Sequence, residues 1–294
     1  MRWLAAAALV LLVTPPDDSR KAAIGPRDGL PAPLARALDP AAFVPLGKPG
    51  PNDWLASHPE RGQTFHQFEH AGVNRPGAQR HTIYIQPLGR FGADAPSLEI
   101  LRKYAAAFFM LDVKLLAPMA LDAKITSRTN PYSGQRQLLT AGILDLLHRR
   151  LPVDAFCVVG VTMEDLYPDP SWNFVFGQAS LTDRVGVYSF ARYGGGSKEL
   201  TLRRSCKVLT HETGHMFGLA HCIWYQCTMN GSNHLAEADA RPMHLCAVDL
   251  RKLQWSVGFD VVERYRRLRK ICGEAHFDDE ARWLDGELAR IGHS

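Results

Sequence analysis

The sequence predicts an α+β fold, a mixed α/β arrangement with helices packed on a mixed sheet, and three observations carry that prediction. Between His81 and Tyr193, β-branched runs and helix-periodic segments follow one another in the order β-α-β-α-β-β-β. The chain has 294 residues, 46% hydrophobic and 22% charged, enough to bury a core and too apolar for disorder. No internal repeat is visible, which excludes solenoids and points to one domain of two subdomains. The composition also excludes collagen, coiled coil and mucin-like stalk.

The elements read as follows. Arg2 precedes the apolar stretch Leu4–Val13, which stops at Thr14-Pro15-Pro16 without a convincing small-x-small cleavage site. It reads either as an export signal or as an apolar tail, so an exported and a cytoplasmic location both stand as expectations. From Pro15 to Gln79 the chain is rich in Pro and Gly and reads as an irregular extension wrapping a later core. His66 and His70 in HQFEH have metal-ligand spacing but lack a third ligand, so a surface or packing role is expected.

HTIYIQPL (His81–Leu88) reads as a strand, and Asp94 as an N-cap for the helix SLEILRKYAAAFFM (Ser97–Met110). DVKLLAP (Asp112–Pro118) is a second strand. Leu138, Leu139, Ile143, Leu146 and Leu147 in QRQLLTAGILDLLHRR recur at helical spacing. DAFCVVGVTM (Asp154–Met163) reads as a buried strand with Cys157 as a core residue. NFVFGQAS (Asn173–Ser180) and VGVYSFARY (Val185–Tyr193) are the last strands, and a helix is expected to begin near Arg203. Aromatic Tyr188, Phe190 and Tyr193 alternate there, the usual pattern of packing, with a pocket wall as the other reading.

Net charge is +4 with the signs interspersed, so nucleic acid is not expected as a partner. No apolar run reaches the roughly 18 residues of an integral membrane span. The His and Cys content is less ordinary: of 12 His and 6 Cys, eight lie between His211 and Cys246.

Within that cluster stands HETGHMFGLAH (His211–His221). On a helix, His211 and His215 are four residues apart and share a face, while Glu212 can reach a water held by the same cation. Gly218, without a Cβ, can adopt the left-handed conformation that turns the chain, returning His221 as a third nitrogen ligand. Three neutral imidazoles leave the fourth position of a tetrahedral ion open, as a catalytic zinc requires. HExxH alone is a weak signal; with Gly218 and His221 at fixed offsets it becomes the metzincin signature.

The following segment, CIWYQCTMNGSNHLAEADARPMHLCAVDLRKL (Cys222–Leu253), resembles the archaemetzincins, a family of zinc metallopeptidases with the pattern HCx4CxM and a later CxxC. Cys222, Cys227, Met229 and Cys246 match, and the resemblance runs from His81 to Leu268. It implies a metzincin-like twisted mixed sheet with an active-site helix and a smaller helical C-terminal subdomain. The corresponding division is 1–25 as signal peptide or tail, 26–79 as extension, 80–221 as N-terminal catalytic subdomain and 222–294 as C-terminal subdomain. It also implies a catalytic zinc on His211, His215 and His221, Glu212 as general base, and Met229 as an apolar floor beneath the site.

A second, structural zinc on four cysteines is implied too. Here the chain departs from the family, because the last CxxC reads Cys246-Ala247-Val248-Asp249. Asp249, one helical turn from Cys246, can complete the set, since a carboxylate is an acceptable zinc ligand. The competing readings are a Cys222 to Cys227 disulfide in an exported protein, or an empty second site. Cys206 and Cys272 read as buried thiols.

The expected function is hydrolysis of a peptide substrate through a zinc-bound water activated by Glu212, with aminopeptidase action on short peptides implied by the resemblance. VGVYSFARY is the expected edge for substrate pairing, and a monomer is expected. The alternative is a catalytically inactive, zinc-stabilised peptide-binding protein. Against it, Glu212 is no ligand and has no structural reason to stand at that offset.

Overall fold

The β-branched runs of the middle of the chain become paired strands in a computed structural model, which describes residues 15–121, 125–180, 182–194 and 196–292. The stretch Leu4–Val13 lies outside the described residues. Helices α1 (Asp17–Ile24), α2 (Ala32–Ala37), α3 (Trp54–Ser57) and α4 (Phe65–Glu69) come first. Then follow β1 (Thr82–Leu88), α5 (Leu98–Phe109), β2 (Asp112–Leu115), β3 (Ser127–Thr129), β4 (Arg136–Leu139), α6 (Thr140–His148), β5 (Ala155–Thr162), β6 (Asp165–Tyr167), β7 (Gly177–Ala179) and β8 (Val185–Ser189). The chain continues with α7 (Lys198–Met216), α8 (Leu235–Asp239), α9 (Ala247–Val257), α10 (Val261–Glu274) and α11 (Asp278–Gly292).

Among the described residues five strands pair in the order β2-β1-β5-β8-β7, parallel except for β7, which runs antiparallel to β8. β1 and β5 are buried along their whole length, as parallel strands covered on both faces must be. Side chains alternate across the sheet. Ile83, Ile85, Val159 and Val161 face the larger apolar cluster, with α5, α7 and α10; Tyr84, Val158, Val185 and Val187 face Ile143 and Leu147 of α6. Cys157 is buried in the larger cluster, as expected. A smaller sheet, β3-β4-β6, flanks this face.

Four local expectations are corrected. The N-cap of α5 is Ser97, whose hydroxyl accepts from the Ile100 amide at 3.3 Å; Asp94, three residues earlier, lies too far from the first turn to do so. Leu138 and Leu139 belong to β4, because the Gln137 amide donates to buried Asp165 (2.8 Å) and backbone pairing with β6 overrides helical spacing. Only Gly177–Ala179 of the predicted strand NFVFGQAS pairs with β8. VGVYSFARY is therefore an interior strand, β8, and the sheet edge is β7.

The extension is more ordered than its composition suggests. Thr64 and Gln67 form a capping box at the start of α4, whose Phe65 and Phe68 are buried. His66 and His70 point outward and stack at 4.4 Å, the surface role expected. One apolar cluster takes in Ala23, Leu34 and Phe68 from this extension, Phe108 and Leu209 from the centre, and Leu253, Tyr265 and Leu284 from the C-terminal helices. Fully buried Arg264 ties α10 to α5, donating from Nε to the Phe108 carbonyl at 2.8 Å with its guanidinium 4.8 Å from the Phe108 ring centre.

Candidate active site

The site is built on α7, which starts at Lys198 and not near Arg203, capped by Ser197 with its side chain accepting from the Leu200 amide. One turn apart on this helix, His211 and His215 share a face. Past the C-cap Phe217, Gly218 adopts φ +83°, and an added Cβ there would lie 2.4 Å from Val73 Cγ1. Both the left-handed conformation and the close approach of the extension require glycine. The reversal brings His221 back, so that the ring centres of His211, His215 and His221 lie 4.7 to 5.2 Å apart.

Each ring is held through Nδ1, leaving Nε2 as the free nitrogen. His211 Nδ1 meets the Thr228 carbonyl at 2.9 Å, His215 Nδ1 the Leu219 carbonyl at 2.7 Å, and His221 Nδ1 the Glu60 carboxylate at 2.8 Å. The two Nε2 atoms of His211 and His215 are 3.1 Å apart. Burial and the neighbouring rings push His211 well below the usual imidazole range and His215 down to about 4. Three neutral imidazoles converging in this way suit a cation such as zinc.

Glu212 is buried beside them. A Cβ on Gly177 would lie 2.9 Å from its Oε1, so glycine is what allows β7 to cross so close to the carboxylate. No hydrogen bond engages that carboxylate among the described residues, and burial alone pushes it up to about 8. A cleft of about 310 Å³ opens here, lined by Val175 to Ala179, Glu212, the three histidines, Trp54, Tyr193 and Arg241. Tyr193 is thus a wall residue, whereas Tyr188 and Phe190 are core. Buried Met229 packs against α7, where a Cβ on Gly214 would lie 2.6 Å from its sulfur.

Cys222, Cys227, Cys246 and Asp249 form a second cluster, fully enclosed, with ligand atoms within 4.8 Å of one another. Cys246 caps α9 and Asp249 sits in its first turn. Asp249 Oδ2 is 3.3 Å from Cys227 Sγ and 3.6 Å from Cys246 Sγ, and Cys222 Sγ is 3.5 Å from Cys246 Sγ. All six cysteines are free thiols here, Cys206 and Cys272 included, with Cys222 and Cys227 unbridged. The other carboxylate oxygen, Oδ1, accepts from buried Lys252 at 2.8 Å. Burial and the Cys222 sulfur raise Asp249 to about 6 against the pull of Lys252. Three thiols and a carboxylate at such separations suit a tetrahedral thiophilic cation.

The chain is similar to human archaemetzincin-2, 43% identical over 294 aligned residues that cover 86% of this chain and 78% of that protein. The chain belongs to the archaemetzincin family. It is a zinc metallopeptidase. The model of Peptidase family M54 matches residues 143–255, and human archaemetzincin-1 is 36% identical over 74% of this chain and 51% of its own length. The solved archaemetzincin of Methanopyrus kandleri superposes with a TM-score of 0.51 at 32% identity, covering 62% of this chain and 97% of that one.

This archaemetzincin also carries site residues that sequence reasoning does not single out. Trp54 and Glu60 come from the extension, Gly177 from the edge strand, and Lys252 stands one turn after Asp249. Only Lys252 leaves a local signal, its i,i+3 spacing to an acid on a helix. The other two histidines between His211 and Cys246, His234 and His244, hold tertiary structure. His234 caps α8 and lies 3.4 Å from Asp53, while His244 meets Glu280 at 2.9 Å and stacks on Trp283.

Proposed function

We propose that the chain hydrolyses peptide bonds in the cleft beside α7, with His211, His215 and His221 holding a catalytic zinc and Glu212 as general base. The observation that carries this reading is Glu212: a buried carboxylate beside three convergent imidazoles, with no hydrogen-bond partner among the described residues. Such a group costs stability where it stands and has no structural task, so its task is chemical. Bound zinc supplies a Lewis acid that brings the pKa of water to about 7 and polarises a carbonyl. Glu212 takes the proton of the attacking water at its carboxylate and delivers it to the leaving amine. The unpaired side of β7 offers backbone groups to an extended peptide, aligned alongside Glu212.

A second, structural zinc on Cys222, Cys227, Cys246 and Asp249 belongs to the same proposal, with Lys252 offsetting its excess negative charge. Aminopeptidase action on short peptides follows from the family resemblance; equal cleavage of N-acetylated and free peptides counts against it. Export through Leu4–Val13 is likewise proposed. A cut at Ala22 or Ala23 would fall inside α1, whose Ala23 and Ile24 are buried, so a mature N-terminus ahead of Asp17 is expected. An intact Met1 in protein from the natural host overturns export.

The central experiment is Glu212→Gln, assayed on a peptide library with zinc content measured in parallel. Zinc is retained while turnover falls by roughly 10²–10⁴-fold. Undiminished turnover refutes the role of Glu212, and peptide binding without cleavage by zinc-loaded wild type favours an inactive binding protein.

A further inference from the structure

The three histidines are not held alike. His211 and His215 lie on α7 and bond carbonyls of Thr228 and Leu219, close by in the chain. His221 stands outside any helix, and its Nδ1 is met by Glu60, 161 residues earlier. Glu60 is itself fixed: the same oxygen, Oε1, accepts from Trp54 Nε1 at 2.9 Å, and the Trp54 ring stands edge-on to His221 at 5.1 Å. The Trp54 amide is anchored in turn on buried Glu237, at 3.0 and 3.1 Å. Gln63 grips the turn from the same segment, donating to the Gly218 carbonyl (3.2 Å) and accepting from the Ala220 amide (3.3 Å).

We infer that Glu60 is a positioning residue for the metal site, and that the N-terminal extension completes this site. The carboxylate at Nδ1 fixes the tautomer of His221, so that the Nε2 lone pair faces the other two rings. Its negative charge also strengthens that nitrogen as a donor, which a backbone carbonyl does less well. Trp54, donating from Nε1, keeps the half-buried carboxylate oriented. This inference rests on the proposed role of His221 as a ligand.

The test uses the full chain, stripped of metal and titrated with zinc against a chromophoric chelator. Glu60→Ala weakens zinc binding at the histidine site by roughly 10–100-fold, and Glu60→Gln, which keeps an acceptor but no charge, by less. The ¹⁵N signal of His221 shows a single tautomer in wild type and a mixture in Glu60→Ala, a readout that general loosening would not give. Unfolding of the metal-free variants controls for folding, and Glu60→Gln keeps the test open if the alanine variant does not fold. Wild-type affinity in both Glu60 variants, while His221→Ala loses zinc, overturns the role of Glu60. Wild-type zinc affinity at the histidine site in His221→Ala overturns the ligand assignment instead.

Discussion

Gly218→Ala separates two costs that meet at the turn. At φ +83° an alanine pays about 1–2 kcal/mol for the left-handed conformation. Its Cβ would also lie 2.4 Å from Val73 Cγ1, where carbon atoms normally rest at about 3.5–4.0 Å, so Val73 or the turn must shift. Overpacking of that size costs about 1–3 kcal/mol. The sum, about 2–5 kcal/mol, lowers Tm by roughly 3–8 °C for a chain of this length. Thermal unfolding in chelator reads the folding term alone, and zinc titration reads the displacement of His221. In Gly218→Ala/Val73→Gly the steric part disappears, because both Cγ1 (2.4 Å) and Cβ (2.8 Å) of Val73 are gone, while the conformational part stays, so the double variant is more stable than the summed singles by about 1–3 kcal/mol. An unchanged Tm for Gly218→Ala, or strict additivity in the cycle, refutes the reasoning.

Other outcomes follow from the buried charges. Lys252→Met leaves Asp249 without its buried partner and costs about 3–5 kcal/mol in metal-free protein by urea denaturation; a loss under about 1 kcal/mol contradicts the pairing. Asp249→Ala releases one of two zinc equivalents in elemental analysis while the histidine site keeps its own, and two equivalents retained in the variant excludes the carboxylate as a ligand. Half-buried Lys207, donating to the Ala238 and Arg241 carbonyls, is pushed down to about 8 by desolvation and the neighbouring Arg203. Its charged form is disfavoured in the fold, so between pH 8 and about 10.5 the unfolded chain holds more protons. Wild-type stability therefore rises relative to Lys207→Met across that window, by up to about 3 kcal/mol, and parallel pH curves rule this out.

What the sequence makes legible is what short-range chemistry decides. HETGHMFGLAH encodes a helix face, a glycine stop and a returning histidine within 11 residues, and β1, β5 and α5 announce themselves through their own patterning. β4 reads as helix because its fate is decided by pairing with β6, 28 residues on. The edge position of β7 depends on sheet order, which no local period reports. Glu60 and Trp54 are hidden most deeply. They stand in a Pro- and Gly-rich stretch, and only the folded chain brings them to His221.

That long reach bears on the order of assembly. A contact spanning 161 residues closes a loop whose entropic cost scales to about 4–5 kcal/mol, and the contact returns little until the sheet and α7 already stand. During synthesis the segment bearing Glu60 leaves the ribosome well before His221 exists to receive it. We therefore expect full ligand geometry to arise late, after the core has consolidated, which keeps hydrolytic competence away from the half-folded chain. Refolding followed jointly by core fluorescence and by zinc uptake tests this order, and simultaneous appearance of the two signals contradicts it.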